Sequence, residues 1–495
     1  MNRTQRKLFA LFFILLFVLI APTIVLFAQG YRFNMENNIF IHSGSVTIKS
    51  WPRDIIIHIN GERQSNKNLN IINRAYTING LKPGKYKLTC SKPGYTDWEK
   101  EISVHSGFST EFWNVILFPQ QENLETKSFQ APGEIQQFFL SPQKNEELIL
   151  FTKNNKKNQI YTLNTENQET ELIFETEKYE FTDKQEGLNI EWNAENKKFI
   201  LPVIENKEER YLIIDTEIEN LEKNFIILDD LLQAKNNRIK KARWMFDEKE
   251  KLILLTEKRE LYFFDYQKQN NELIAENVSG FDFADYNIYY SQLPNNIIWE
   301  VNQSNLKNKK QITSEVLNND KRDTAFLEEI IAYDKDRIFI DTGTESLLFV
   351  RDKSQNITLS LKPKEKITGI QFSNDGKKVL FWNNNEAWYY MLRDWEVQPK
   401  RYLGEKITIT RSSKPIKNIQ WMDNYENIVL SDNNNVRSFE VDPRNKTNIS
   451  DLITTEETLQ EKDLLYNKNN QTVYYLDKNA IFSSILIDTS GFLGL

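Results

Sequence analysis

Cysteine is almost absent: Cys90 is the single one in a chain of 495 residues. No intramolecular disulfide can form, so neither a disulfide scaffold nor a dithiol redox pair is open to this protein. Cys90 falls in Tyr86-Lys87-Leu88-Thr89-Cys90, an alternating run that puts Tyr86, Leu88 and Cys90 on one face of a strand. It reads as a small buried apolar side chain rather than a nucleophile. Histidine is scarce too. His42, His58 and His105 all lie near the N-terminus, and none has a partner at metal-ligand spacing. The 16 glycines form neither a G-x-S-x-G elbow nor a phosphate loop. Basic charge is in deficit, with 63 Lys and Arg against 70 Asp and Glu and a formal net charge of −7. A chain without a basic footprint cannot displace counterions from a nucleic acid, so no nucleic-acid partner is expected. No catalytic, metal-ligating or cofactor-binding residue can be assigned, and no cofactor is expected.

What is present is one long apolar run. Residues 8–28 carry no charge and follow Arg3, Arg6 and Lys7. As a helix this run spans roughly 30 Å, the thickness of a bilayer core. The preceding cations place residues 1–7 in the cytoplasm and the rest of the chain outside, by the positive-inside rule. The apolar core is longer than that of a cleavable signal peptide, and its exit, Leu26-Phe27-Ala28, carries a bulky residue where a small one belongs. The reading adopted is an uncleaved, single-pass signal anchor in the cell membrane; a cleaved signal peptide and a buried core helix are the alternatives.

A polar linker is read at 29–43. From 44 to 119 the chain breaks into short alternating strands separated by tight turns. Strands are expected at 44–50, 55–59, 76–78, 86–90, 96–104 and 112–118. Trp51-Pro52, Asn60-Gly61, Asn79-Gly80, Pro83-Gly84 and Pro93-Gly94 punctuate them. So many strands in so short a stretch predict a small all-β sandwich.

The order of these residues resembles the PEGA domain family. The resemblance is carried by Gly44, Ser50, Pro52, Ile57, Asn60, Gly61, Leu81, Pro83, Gly84, Tyr86, Lys92, Gly94, Tyr95, Trp98 and Val104. The motif that names the family is replaced here by Pro52-Arg53-Asp54-Ile55, and the usual Thr-Pro before the third strand is missing. The resemblance implies an extracytoplasmic, surface-associated β-domain that binds proteins or envelope polymers, and it implies no catalytic residues. Tyr95 and Trp98 are the candidate binding surface, as a sugar-stacking pair. The other reading is that both rings pin a hairpin to the sandwich core.

Residues 125–495 repeat. A bulky apolar anchor, a polar turn and an apolar strand recur at Leu140, Trp192, Trp244, Phe283, Tyr333, Phe372, Trp421 and Tyr466. The steps run from about 39 to about 52 residues with a mean of about 47, the size of one four-stranded propeller blade. A blade cannot bury both faces alone, so blades stack into a ring. Seven or eight blades are expected, with 224–233 and 451–461 as possible helical exceptions. The copy Phe372-Ser373-Asn374-Asp375-Gly376 leading to Val379 and Trp382 resembles TolB-like and WD-repeat propellers. Its Asn-Asp-Gly is explained by a hairpin turn. The tail at 491–495 is apolar but short.

The expected class is therefore all-β: a transmembrane helix, a PEGA-like sandwich and a seven- or eight-bladed propeller. The expected function is a non-catalytic, membrane-anchored scaffold that binds envelope proteins or polysaccharide. Two alternatives remain: a propeller enzyme acting on glycans or peptides through paired channel carboxylates, and a sensory ectodomain signalling through a membrane partner.

Overall fold

The computed structural model describes residues 3–34, 39–64, 74–182, 190–232, 238–294, 297–313, 329–341, 346–351, 356–361 and 367–487. The apolar tail at 491–495 lies outside the described residues. The chain opens with helix α1 (Arg3–Ala28). Within its stretch Gln5–Ala28 the most apolar 18-residue window has mean hydropathy 3.0, and none of that window is buried against the rest of the protein. It is long and apolar enough to cross a membrane or to act as a signal anchor.

The segment read as a linker is structured. Strands β1 (Tyr31–Asn34) and β2 (Ile39–His42) form an antiparallel hairpin in which Phe33 faces Phe40 and Tyr31 faces His42. Tyr31-Arg32-Phe33-Asn34 alternates, but Ile39-Phe40-Ile41-His42 is apolar in its first three positions, and four residues are too few to give a clear period.

The small module follows. Strands β3 (Gly44–Trp51), β6 (Tyr76–Leu81) and β9 (Ser109–Ile116) make one sheet, in the order β6-β3-β9. Strands β4 (Ile56–Ile59), β5 (Glu62–Arg63), β7 (Gly84–Ser91) and β8 (Trp98–Val104) make the other, in the order β5-β4-β7-β8. Their inner faces share one core containing Val46, Ile48, Ile57, Leu88, Cys90, Trp98, Ile102 and Phe112. The β4–β5 hairpin turns at Asn60 (φ 51°) and Gly61 (φ 81°), the paired left-handed conformation of a two-residue turn. A Cβ on Gly61 would meet nothing within 4 Å. Gly61→Ala should therefore cost only the backbone term, about 1–2 kcal/mol, read as a lowered denaturation midpoint. A loss several times larger would mean that the site is sterically closed.

Eight further sheets are present among the described residues, seven of four strands and one of five. Seven follow in chain order as blades one to seven, at 134–176, 180–227, 239–275, 278–311, 329–361, 369–411 and 416–454. Blade eight is built from both ends of the domain. The strands Leu464–Asn467, Thr472–Asp477 and Ala480–Ile485 are completed by Thr126–Gln130, which pairs antiparallel with the last of them. Eight apolar clusters each bridge two neighbouring blades. One joins blade eight to blade one through Phe129, Phe138, Leu148, Leu465 and Ile481, so the ring closes. Seven of the eight anchor residues lie on the first, innermost strand of their blades; in blade two that edge is split into Glu180–Phe181 and Glu191–Trp192, and Trp192 lies on the second piece.

Of the two helical exceptions, the first holds for one turn only and the second does not hold. At 224–233 a strand, Phe225–Ile227, is followed by a single helical turn, Leu228–Leu231. At 451–461 the chain continues the strand Ile449–Thr454 and then runs irregularly. Edge pairing with Asn435–Glu440 outweighs the helix-like spacing there, helped by the β-branched run Ile453-Thr454-Thr455.

Candidate functional site

The module sits on one face of the ring. The loops it touches, at 392–405, 422–426, 441–448 and 467–471, join first to second or third to fourth strands of blades six, seven and eight. The seam is polar at its centre. Lys100 lies on β8 in the inward register of Trp98, Ile102 and Val104. It is fully buried. Its ammonium meets Glu440 Oε2 at 2.9 Å, and donates to the carbonyls of Arg444 at 2.8 Å and Asp442 at 3.2 Å. Three donors thus find three acceptors. Glu440 also accepts from Trp98 Nε1 at 3.1 Å and from Asn448 Nδ2 at 2.8 Å. Burial pushes the Glu440 carboxyl above its ordinary value, and Lys100 beside it pulls the other way.

Arg444 fixes the other side. It holds Asp442 through Nε (3.0 Å) and Nη2 (2.6 Å), donates to the Glu111 carbonyl of the module at 2.9 Å, and lies 4.0 Å over the Phe112 ring. Gln398 of blade six adds two bonds, accepting from Glu111 N at 3.0 Å and donating to Ser109 O at 2.8 Å. Phe118 carries the contact into the apolar cluster between blades seven and eight. Three clefts lie along the seam among the described residues. One, of about 220 Å³, is lined by Phe112, Trp113, Trp395, Glu440 and Arg444; a second, of about 290 Å³, by Trp51, Trp113, Arg74, Asp423 and Gln471; the third, of about 730 Å³, by Glu101, Phe108, Phe112, Gln398, Arg444 and Asn445.

Behind the seam lies a second buried ionic group. Glu426 accepts from Arg401 Nη1 (2.8 Å) and Nη2 (2.6 Å) and pairs with Lys378. Burial works against ionisation of Glu426, but Lys378 and Arg401 outweigh it and hold the carboxyl below its ordinary value. For a depressed carboxylate the stabilising contribution is complete above the unfolded-state pKa. It is lost as pH falls through the folded one. Thermal unfolding followed from neutral pH downward should therefore show an acid limb that Glu426→Gln flattens. An unchanged limb in that variant would assign acid sensitivity to other groups.

The sequence-predicted pair separates. Trp98 is 2% exposed. Its ring packs edge-on to Phe112 at 5.1 Å, so it belongs to the core and to the seam rather than to a free sugar-stacking surface. Tyr95 is half-buried against Trp51, at 6.1 Å between ring centroids, with Lys92 Nζ 4.8 Å from its ring. Cys90 is buried in the module core, and burial pushes its thiol pKa far up.

Sequence reading missed the residues that lace the channel. An innermost strand has one edge without a partner strand, and its N–H groups need acceptors. The residue just before the anchor supplies them to the next blade. Glu191 accepts from Trp244 N at 3.1 Å, Asp282 from Ala332 N at 2.8 Å, Gln371 from Trp421 N at 2.9 Å, and Gln420 from Tyr466 N at 3.0 Å. Arg243, in the same position, pairs with both Glu191 and Asp282. The signal was a polar residue repeatedly preceding the anchor. Among the described residues no group of three or more His, Cys, Asp or Glu is placed to hold a metal ion.

A ring of eight blades, closed by its own N-terminal strand and bearing a β-sandwich on one face, defines a β-propeller protein with an appended module. Residues 43–115 match the family model of the PEGA domain, so the appended module is a PEGA domain. Among solved structures the chain is similar to the C-terminal WD40 domain of Sif2, with a TM-score of 0.47 and 8% identity, covering 74% of this chain and 98% of that one. It is similar also to the Dos1 propeller, with a TM-score of 0.47 and 11% identity, covering 73% of this chain and 95% of that one. No curated protein matches the sequence. The propeller assignment rests on the eight sheets and their closure.

Proposed function

We propose that this protein is a non-catalytic scaffold of the cell envelope, anchored by α1, whose PEGA domain and propeller act as one body to bind protein or envelope-polymer partners. The buried Lys100–Glu440 seam carries this reading. A flexible tether would not need three satisfied donors and a buried ion pair between the two units, whereas a rigid platform does. Arg3, Arg6 and Lys7 ahead of the apolar stretch favour a cytoplasmic N-terminus and an external body. The channel acids Glu191 and Asp282 are engaged by Arg243 and by backbone N–H groups, which favours a structural role for them over acid–base work.

The module covers blades six to eight, and on the same face blades three and four present Phe246 and Tyr286. These rings are 45% and 48% exposed and lie 4.9 Å apart. Exposed aromatic pairs of this kind serve as contact anchors in protein interfaces. Photo-reactive amino acids placed at 246 and 286 of the full chain in intact cells should capture a discrete envelope partner, with the body accessible to externally added protease. A protected body, or turnover of glycan or peptide by the purified full chain, would overturn the proposal.

A further inference from the structure

The end of α1 is tied into the hairpin, and the hairpin into the PEGA domain. Arg32 Nη1 donates to the Phe27 carbonyl at 3.1 Å and to the Tyr31 carbonyl at 2.9 Å, with its guanidinium 3.7 Å over the Phe27 ring. It thereby adds a second donor to a carbonyl of the last helical turn, which Gly30 N also meets at 3.1 Å. His42 Nε2 bonds the Gln29 carbonyl at 2.9 Å, and Ser43 N the Gly30 carbonyl at 2.8 Å. The module loop at 105–108 is fastened to the same spot. Ser106 Oγ donates to His42 O at 2.9 Å and Gly107 N to Ser43 O at 3.1 Å. Gly107 is required there: its φ is +75°, and a Cβ would stand 2.9 Å from the His42 ring.

This rigid junction presents apolar side chains to the outside. Phe33 is 45% exposed, Ile39 52%, Phe40 42% and Phe108 71%. Phe33 and Phe40 form an edge-on pair at 5.2 Å. In water such a cluster gains nothing from exposure. At the level where a membrane helix ends, aromatic side chains are favoured, and shallow apolar insertion adds to surface binding. Only Gln29 and Gly30 separate α1 from the hairpin, so a bilayer crossed by α1 reaches these rings.

We propose that Phe33, Phe40 and Phe108 form a second, shallow lipid contact: a surface that docks on the bilayer α1 enters. It holds the PEGA domain, and through the seam the propeller, at a fixed tilt to the membrane. The inference rests on α1 being a membrane anchor, and the test separates the two. Cys90 is buried, so single cysteines introduced elsewhere take a nitroxide selectively. The full chain is reconstituted in vesicles of phosphatidylcholine and phosphatidylglycerol. Labels go at Leu16→Cys in α1, at Phe40→Cys and Phe108→Cys, and at Leu273→Cys on the outer strand of blade three. Accessibility is read with oxygen and with a water-soluble nickel chelate.

The expected result is a deep label at 16, an aqueous one at 273, and labels at 40 and 108 that lose most of their nickel accessibility. A buried label at 16 with labels at 40 and 108 as accessible as 273 overturns the surface and leaves the anchor. An accessible label at 16 overturns both. Spin–spin broadening at 40 that vanishes on dilution with unlabelled protein assigns the patch to a second copy, and also overturns the proposal. Position 108 keeps the test valid if substitution at 40 disturbs the hairpin.

Discussion

Lys100→Ala is expected to cost about 3–5 kcal/mol and to loosen the PEGA domain from the propeller. The substitution removes one ammonium and leaves behind a buried Glu440 carboxylate and the carbonyls of Asp442 and Arg444. Water cannot solvate them while the seam stays closed, so the cost is that of orphaned groups as well as a lost contact. Glu440 retains Trp98 Nε1 and Asn448 Nδ2, neither of which carries charge. Lys100→Met tests the cause, because it keeps the apolar stem and deletes only the charge. If the penalty comes from the uncompensated carboxylate, Lys100→Met alone is nearly as damaging as Lys100→Ala. Combining it with Glu440→Gln then recovers much of the loss. Differential scanning calorimetry of the full chain should show an early transition for the PEGA domain in the single variants. A shift below about 2 °C in Lys100→Ala would mean that the pair is not a structural tie.

The seam also shows where sequence reading stops. Trp98, Lys100, Ile102 and Val104 alternate on β8, and a lysine in that inward register is a visible anomaly. Its partner, Glu440, lies in the seventh blade, and no local pattern connects the two. The blades themselves were legible because each one repeats the same local problem. A bulky residue stands last or next to last on the innermost strand, a turn follows, and the next strand is apolar. Even drifted copies such as Tyr333 and Tyr466 keep that order. The hairpin at 31–42 was missed because two four-residue strands carry too little periodicity. The run at 451–461 misled because its spacing suits a helix while its position beside Asn435–Glu440 demands a strand. Tyr95 and Trp98 looked alike in sequence. Packing in the module core, against Phe112, and docking of the propeller through Glu440 together separate the sealed Trp98 from the half-buried Tyr95.

Phe129→Asp is expected to open the ring at its closing seam. The strand Thr126–Gln130 reads as an unremarkable polar stretch, yet it is the outer strand of blade eight and pairs with Ala480–Ile485 from the far end of the domain. Phe129 is 2% exposed and packs with blade-one residues Ile135 and Phe138 and blade-eight residues Leu465, Tyr474 and Ile481. Truncating a buried phenylalanine costs about 3–5 kcal/mol, and an unpaired carboxylate in the same place adds its desolvation. The position is unusually consequential because the closure joins chain ends more than about 300 residues apart, and nothing local restores it once broken. Phe129→Leu, which keeps an apolar side chain, should cost far less. Hydrogen exchange supplies the readout that a uniform destabilisation would not move. In Phe129→Asp, protection should vanish first at 126–130 and 480–485, while the innermost strands of blades three to five keep theirs. Simultaneous loss in every blade would show that the ring unfolds as one unit and that this strand is not its latch.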